Sequence, residues 1–222
     1  MPLDDFLSAN QQFLGKVTPG RAPRDPKRAV AVVTCMDGRL TKLLNQAIGV
    51  QRGEAVMIRT AGNAILPHDM AIVRSVAASI FMLGVREVLV IGHTDCRMAG
   101  DILPLLDGMA KLGVARDVLG ANDPREFFGF IPGPEQNVRA VVRQLRESPL
   151  VPSSVLVHGL MIDVESGALK VIVRGDEAPT PAPGEPPQEA VPVAQVEVPY
   201  AAEVVEEVRP RPVARKGGKF VR

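Results

Sequence analysis

Two cysteines and one histidine follow apolar segments in this sequence of 222 residues. His93 and Cys96 come soon after the apolar run 88–91, and Cys35 comes soon after the apolar run 28–33. Both runs have the length and β-branched content of buried strands. In an open α/β sheet, ligands bind at the carboxyl ends of the strands. If the two strands are neighbours in one parallel sheet, the two thiols and the imidazole meet at one site.

These three side chains predict a catalytic zinc site. Two thiolates and one imidazole supply three ligands and leave a fourth position open, whereas structural zinc sites are usually closed by four protein ligands. Zinc lowers the pKa of a bound water molecule, but two thiolates cancel its formal charge and weaken this effect. We therefore expect turnover to rise through mildly alkaline pH. Two cysteines in a chain without an export signal also favour metal binding over a disulfide.

The elements that must position these ligands alternate along the chain. Strands are predicted at 28–34, 55–59, 88–91, 154–158 with a possible extension to 162, and 169–173. Helices are predicted at 4–15, 40–48, 69–84 and 134–147, with short helices between 101 and 131. This order predicts an α/β fold, in which helices flank a mostly parallel sheet of about four strands plus an antiparallel edge strand. Gly92 is expected to turn the backbone sharply where the third strand ends.

The composition divides the chain into three segments. Residues 1–27 are interpreted as an N-terminal helix and connector arm, and residues 28–175 as the zinc-binding α/β catalytic domain. Residues 176–222 are rich in proline and are expected to be disordered. This tail is either a solvated extension or a docking arm for an unknown anionic partner, and the sequence leaves both open.

Charge and hydropathy exclude some classes of partner. The net charge of +1 provides no general field that would attract nucleic acid or a membrane surface. No apolar run reaches the about 20 residues that a membrane span needs. The first residues are acidic and lack the apolar core of a signal peptide, so a cytoplasmic location is predicted.

Three short motifs in the sequence resemble the motifs of a known family. In order they are Cys35-Met36-Asp37-Gly38-Arg39, Arg59-Thr60-Ala61-Gly62-Asn63 and Gly92-His93-Thr94-Asp95-Cys96. Together they resemble the β-class carbonic anhydrases, and in particular a small bacterial branch with an HTDC box. The resemblance covers roughly residues 1–175. It implies one Zn²⁺ per chain, reversible hydration of CO2 to bicarbonate and a proton, and a homodimer or higher homo-oligomer.

The resemblance also assigns roles to individual residues. It implies that Cys35, His93 and Cys96 bind the metal, and that Asp37 and Arg39 form a catalytic dyad. As a carboxylate, Asp37 could accept a hydrogen bond from the reacting water, or it could ligate zinc and close the site. Arg39 would keep Asp37 ionised and oriented through a bidentate pair.

Other polar residues near the motifs are weaker candidates. Gly62 and Asn63 are predicted to shape the substrate-binding loop, with backbone N–H groups available to an oxyanion, and a plain turn is the alternative.

The remaining histidines and one aspartate have open roles. His68 is either a proton shuttle or a surface residue, and His158 is interpreted as a buried structural residue at the end of a strand. Asp95 could orient the ligand histidine, pair with an arginine such as Arg59 or Arg97, or face solvent.

One departure from the family pattern affects the functional interpretation. The family usually has glycine after the second cysteine ligand, where close packing or a positive φ would exclude a side chain, and this chain has Arg97. Blocked access, an altered substrate and an outward-facing side chain are all compatible with the sequence. Three functions are therefore considered: CO2 hydration, hydrolysis of COS or CS2 on the same scaffold, and a catalytically inactive zinc or scaffold protein.

Overall fold

The computed structural model describes residues 2–14, 16, 24–67 and 69–177. The predictions for His68, for part of the connector and for most of the tail lie outside these residues. The helices are α1 Pro2–Phe13, α2 Leu40–Ala47, α3 Ala71–Leu83, α4 Leu103–Lys111, α5 Pro124–Phe128 and α6 Pro134–Glu147. The strands are β1 Val30–Cys35, β2 Ala55–Thr60, β3 Glu87–His93, β4 Leu156–Ile162 and β5 Leu169–Val173.

The five strands form one sheet in the order β2-β1-β3-β4-β5. The first four strands run parallel, and β5 pairs antiparallel with β4 at the edge. This confirms the predicted fold class. It also confirms that β1 and β3 are neighbours, with Thr34 opposite Ile91. Because β1 and β3 are adjacent and parallel, their carboxyl ends lie side by side, which brings the segment after Cys35 next to the segment after His93.

Two apolar clusters cover the faces of the sheet. Val33 and Val90 belong to the cluster that includes buried residues of α3 and α6. Val32 and Ile91 belong to the other cluster, which includes Leu40 of α2 and both cysteines. Burial on both faces explains why β1 and β3 are continuous apolar runs, as expected for central strands of a parallel sheet. The second cluster therefore places the two cysteine sulfurs in apolar surroundings.

The predicted role of Gly92 was wrong. The strand β3 does not turn at Gly92 but continues to His93. A Cβ atom at Gly92 would lie 2.6 Å from a methyl group of Val138 and 2.8 Å from the sulfur of Met161. The glycine is required because α6 packs closely on the strand, and this contact between distant segments is invisible in the local sequence.

The predicted N-terminal helix is confirmed as α1. This helix buries little of its apolar surface within the described chain. Phe6 is 72% exposed and Phe13 is 55% exposed. No helix in the described ranges combines the length and apolar character needed to cross a membrane.

Candidate metal centre

The three predicted ligands come together at the carboxyl ends of β1 and β3. Cys35 is the last residue of β1, His93 is the last residue of β3, and Cys96 lies in the loop that follows. The two Sγ atoms are 4.0 Å apart, and all donor atoms lie within 4.8 Å of one another. Two sulfurs each about 2.3 Å from a tetrahedral zinc ion would lie about 3.8 Å apart. The side chains therefore fit a zinc ion without rearrangement of the backbone.

The imidazole of His93 is oriented for metal binding. Its Nδ1 lies 2.8 Å from the carbonyl oxygen of Thr94. Since a carbonyl only accepts hydrogen bonds, Nδ1 carries the proton and Nε2 keeps its lone pair. This Nε2 is buried and has no hydrogen-bond partner among the described residues. A metal ligand whose other ring nitrogen donates to a carbonyl is the usual arrangement in metalloproteins.

The two sulfurs share one proton. The hydrogen bond from the Cys96 thiol lowers the pKa of Cys35, against the opposing effect of burial. The same hydrogen bond, together with burial, raises the pKa of Cys96. Backbone N–H groups also reach the sulfurs, from Asp37 and Gly62 to Cys35 and from Met98 and Ala99 to Cys96. A divalent cation would replace the shared proton and favour two thiolates.

The side chains of Asp37 and Arg39 form the ion pair that the resemblance implies. Nη2 of Arg39 lies 2.7 Å from Oδ2 of Asp37, and Nε lies 3.1 Å from Oδ1. These hydrogen bonds are the main reason why the pKa of Asp37 is lowered to about 2. Asp37 is therefore a carboxylate at neutral pH, held by Arg39. The set of donor atoms that the described residues bring together for a metal ion consists of Cys35, His93 and Cys96.

Arg39 also holds the loop that carries the other two ligands. Its Nη1 donates to Oδ2 of Asp95 at 2.7 Å, and its Nη2 donates to the carbonyl oxygen of Asp95 at 2.9 Å. Asp95 thus pairs with an arginine and also faces solvent, as two of the predicted alternatives held, but the arginine is Arg39 rather than the two named examples, Arg59 and Arg97. Asp95 has a φ of 52°, an unusual value for a residue other than glycine. Arg39 stabilises this conformation from the neighbouring loop, across 56 residues of sequence.

Arg59 contacts the candidate site in a way that its place in a sequence motif did not reveal. Its Nε donates to the carbonyl oxygen of Cys35 at 3.1 Å, and its Nη2 donates to the carbonyl oxygen of Asp37 at 2.7 Å. Its Nη1 donates to the hydroxyl of Thr41 at 3.1 Å. The guanidinium of Arg59 thus fixes the backbone between Cys35 and Asp37.

Gly62 and Asn63 lie in a 3₁₀ turn, Ala61–Asn63, beside the metal centre. Gly62 has a φ of 62°, and a Cβ atom there would lie 3.0 Å from Cβ of Met98. Its N–H group points to the Cys35 sulfur, and its carbonyl accepts from Nδ2 of Asn137 at 3.0 Å. The side-chain Nδ2 of Asn63 is buried without a hydrogen-bond partner in the described part of the chain. Contact of these residues with substrate stays a prediction.

Arg97 does not obstruct the loop in which it lies. It begins a 3₁₀ turn, Arg97–Ala99, and its side chain is exposed. The positive φ of this loop falls on Asp95 instead. The outward-facing alternative for Arg97 therefore agrees best with the structure.

His158 is largely buried, as predicted, but it lies near the start of β4 rather than at the end of a strand. Its Nε2 is 3.1 Å from a carboxylate oxygen of Glu87, and its Nδ1 accepts from the N–H group of Gly175 at 2.9 Å. In the sheet it is opposite Leu89, four residues before the ligand histidine in sequence. His158 thus takes no part in the metal centre.

Comparison with known proteins agrees with this geometry. The family model described as "Carbonic anhydrase" matches residues 30–124. The chain is 31% identical over 172 residues to beta-carbonic anhydrase 1 of Mycobacterium tuberculosis, covering 76% of this chain and 96% of that one. It also resembles the crystal structure of beta-carbonic anhydrase isoform I from Trichomonas vaginalis. That match has 36% identity and a TM-score of 0.73, over 79% of this chain and 99% of the other. The chain belongs to the β-class carbonic anhydrase family.

A relative with a different substrate also matches the chain. The carbon disulfide hydrolase of Acidianus sp. (strain A1-3) is 29% identical over 161 residues, which are 64% of this chain and 76% of that enzyme. Similarity to this chain therefore extends to a protein named for CS2 hydrolysis.

Proposed function

We propose that this protein is a zinc-dependent carbonic anhydrase that reversibly hydrates CO2 to bicarbonate and a proton. The observation that carries the proposal is the buried cluster of Cys35, His93 and Cys96, in which the His93 Nε2 is free of hydrogen bonds to the described residues. Membership of the β-class family supports both the metal and the reaction. The Asp37–Arg39 pair beside the cluster supports catalysis over a purely structural metal site.

The residues around the cluster suit this reaction. Zinc, when bound, would supply a Lewis acid that lowers the pKa of a water molecule. The Asp37 carboxylate would accept a hydrogen bond from that water and direct its lone pair toward the carbon of CO2. Arg39 would hold the carboxylate in this position through hydrogen bonds from its Nε and Nη2. The apolar cluster that contains both cysteines and Ile131 would strengthen these electrostatic interactions, because it lowers the local dielectric constant.

Stopped-flow measurement of CO2 hydration, combined with metal analysis, tests the proposal. We expect about one zinc ion per chain, turnover that is lost on chelation and restored by zinc, and turnover that rises between about pH 6 and 9. The Cys35→Ser variant should lose both zinc and turnover. The Met36→Ser variant is a matched control, because Met36 is the adjacent residue and its side chain is 63% exposed. Stoichiometric zinc without hydration of CO2 would instead support the inactive zinc protein.

Hydrolysis of CS2 is a second candidate, favoured by the similarity to the carbon disulfide hydrolase. In that reaction CS2 and two water molecules would give CO2 and two molecules of hydrogen sulfide. Release of hydrogen sulfide from CS2 or COS by the zinc-loaded protein distinguishes the two functions. We expect turnover of CO2 to exceed turnover of both sulfur compounds, and the reverse order would replace the first proposal with the second.

We also propose that the chain assembles as a homodimer or a larger homo-oligomer, as the family resemblance implies. Light scattering during size-exclusion chromatography would test this. The cytoplasmic location, and the boundaries of the catalytic domain at 28 and 175, stay predictions from the sequence.

A further inference from the structure

The orientation of His93 depends on the next residue in the chain. The proton on Nδ1 of His93 is bound by the carbonyl oxygen of Thr94 at 2.8 Å. This carbonyl selects the ring tautomer that leaves Nε2 free. Whatever fixes the backbone at Thr94 therefore also decides which nitrogen faces the two sulfurs.

Thr94 is held by the turn between β4 and β5, which lies almost 70 residues away in sequence. Its N–H group donates to the carbonyl oxygen of Ile162 at 3.1 Å. Its hydroxyl accepts from the N–H group of Val164 at 3.1 Å and donates to Oδ2 of Asp163 at 3.3 Å. Both the main chain and the side chain of Thr94 are thus tied to this turn.

The turn is itself rigidly built around Asp163. Oδ1 of Asp163 accepts from the N–H group of Ser166 at 2.8 Å, from its hydroxyl at 2.7 Å, and from the N–H group of Glu165 at 3.2 Å. One carboxylate oxygen therefore closes the turn, and the other reaches Thr94. The hydrogen bonds from Ser166 are the main reason that the pKa of Asp163 lies below its ordinary value.

The residue that follows Thr94 is restrained as well. Asp95 has a φ of 52° and receives two hydrogen bonds from Arg39. The backbone around the Thr94 carbonyl is thus restrained on both sides, by the β4–β5 turn at Thr94 and by Arg39 at Asp95. A loosened side chain at Thr94 would leave the left-handed residue next to it supported from one side.

We propose that Thr94 is a positioning residue: its hydroxyl anchors it on the β4–β5 turn, and this anchor holds its carbonyl oxygen on the imidazole of His93. The expected effect on metal affinity rests on the proposed zinc site, because a correctly oriented imidazole should bind zinc more tightly. The hydroxyl of Thr94 is the group that makes the link, since it contacts two residues of the turn at once.

Three variants of the full-length chain separate this role from general stability of the turn. Thr94→Val keeps the shape of the side chain but removes the hydroxyl. Thr94→Ser keeps the hydroxyl and should behave as the wild type. Ser166→Ala is the matched control, because it removes a hydroxyl that donates to the same carboxylate but on the other oxygen.

Zinc affinity is measured by competition with a chelator at fixed pH. We expect Thr94→Val to bind zinc about tenfold more weakly, as is typical when a group that supports a ligand is removed. The zinc affinities of Thr94→Ser and Ser166→Ala should stay within about twofold of the wild-type value. The thermal midpoint of each metal-free variant shows separately whether folding is impaired. An equal loss of affinity in Ser166→Ala and Thr94→Val would overturn the proposal, because the turn and not Thr94 would then be responsible.

Nitrogen-15 NMR of the His93 ring in the metal-free chain gives a second readout. We expect the Nδ1–H tautomer to dominate in the wild type and in Thr94→Ser, and to lose its dominance in Thr94→Val. A Thr94→Val variant that retains either the wild-type tautomer or the wild-type zinc affinity would overturn the proposal. If the wild-type chain binds no stoichiometric zinc, the proposed function fails, whereas the tautomer measurement still decides the role of Thr94.

Discussion

Two loops carry the metal ligands, and they are held in different ways. The loop after β1, residues 35–39, carries Cys35 and Asp37, and guanidinium groups hold it. The loop after β3, residues 93–96, carries His93 and Cys96. Thr94 anchors this second loop to the β4–β5 turn through main-chain and hydroxyl hydrogen bonds.

This difference separates two properties of the site. The half-exposed Arg39 controls where the Asp37 carboxylate lies, so the loop after β1 should mainly determine turnover. The loop after β3 supplies two of the three donor atoms, so it should mainly determine metal affinity. Arg39 contacts both loops, but because it binds the Asp37 carboxylate directly, its loss should lower turnover far more than zinc affinity.

The largest effect is expected when either loop loses a sulfur. Cys35→Ser and Cys96→Ser should each weaken zinc binding by more than about 100-fold, which exceeds the loss typical of supporting groups. Metal analysis after dialysis against a chelator measures this. If one of the two variants kept its zinc, the ion would not be bound by sulfurs from both loops, and the proposed division between the loops would be wrong.

Removal of Arg39 is expected to give the next largest effect. In Arg39→Ala the Asp37 carboxylate is free to move and to close the site, so kcat should fall roughly 100-fold while most of the zinc is retained. Stopped-flow kinetics and metal analysis on the same preparation give both values.

Arg97→Ala is the matched control for the Arg39 variant, because Arg97 is an exposed arginine that directly follows Cys96 in the sequence. We expect it to leave turnover unchanged. Unchanged turnover in Arg39→Ala would instead remove the dyad from the mechanism.

Arg59→Ala should have an intermediate effect on the loop after β1. It removes two hydrogen bonds from a charged group to main-chain carbonyls, so the free energy of unfolding should fall by about 2 kcal/mol. Denaturant titration measures this loss. Thr41→Val, which removes only the third contact of Arg59, should cost less, and an equal cost would place the role of Arg59 in α2 rather than in the loop.

The smallest effect is expected on the pH dependence of stability, through the ionisation of the Asp163 carboxylate. Its pKa is lower in the folded chain than in the unfolded chain, so its stabilising contribution is present above the unfolded value of about 4. The contribution is lost as the pH falls through the lower, folded value. The difference in thermal midpoint between the wild type and Asp163→Asn should therefore be constant at neutral pH and vanish in acid. A difference in thermal midpoint that grew as the pH fell would contradict the view that the ionised Asp163 carboxylate stabilises the turn.

The helices α6 and α1 show what a sequence pattern leaves open. Both patterns were recognised as helices. In α6 the apolar positions Val138 and Leu145 are fully buried on the sheet, whereas Phe6 of α1 is largely exposed within the described chain. Periodicity identifies an apolar face, but it does not identify the surface that covers it.

The donor residues and the strands that carry them could be predicted because this information is local. A strand and a donor residue are each encoded by a few neighbouring residues, and the bounds of β1, β3 and α6 agree closely with the prediction. The partner of Asp95 and the reason for Gly92 could not be predicted in this way. Each depends on a contact between segments more than 40 residues apart.

The sequence by itself determined the donor types, the order of strands and helices, and the family. The tertiary structure decided that β1 lies beside β3, that Arg39 bridges the two ligand loops, and that Thr94 is anchored to the β4–β5 turn. The physical reason is that secondary structure follows from the preferences of adjacent residues. Contacts between distant segments arise only when the whole core packs and brings their hydrogen-bonding groups together.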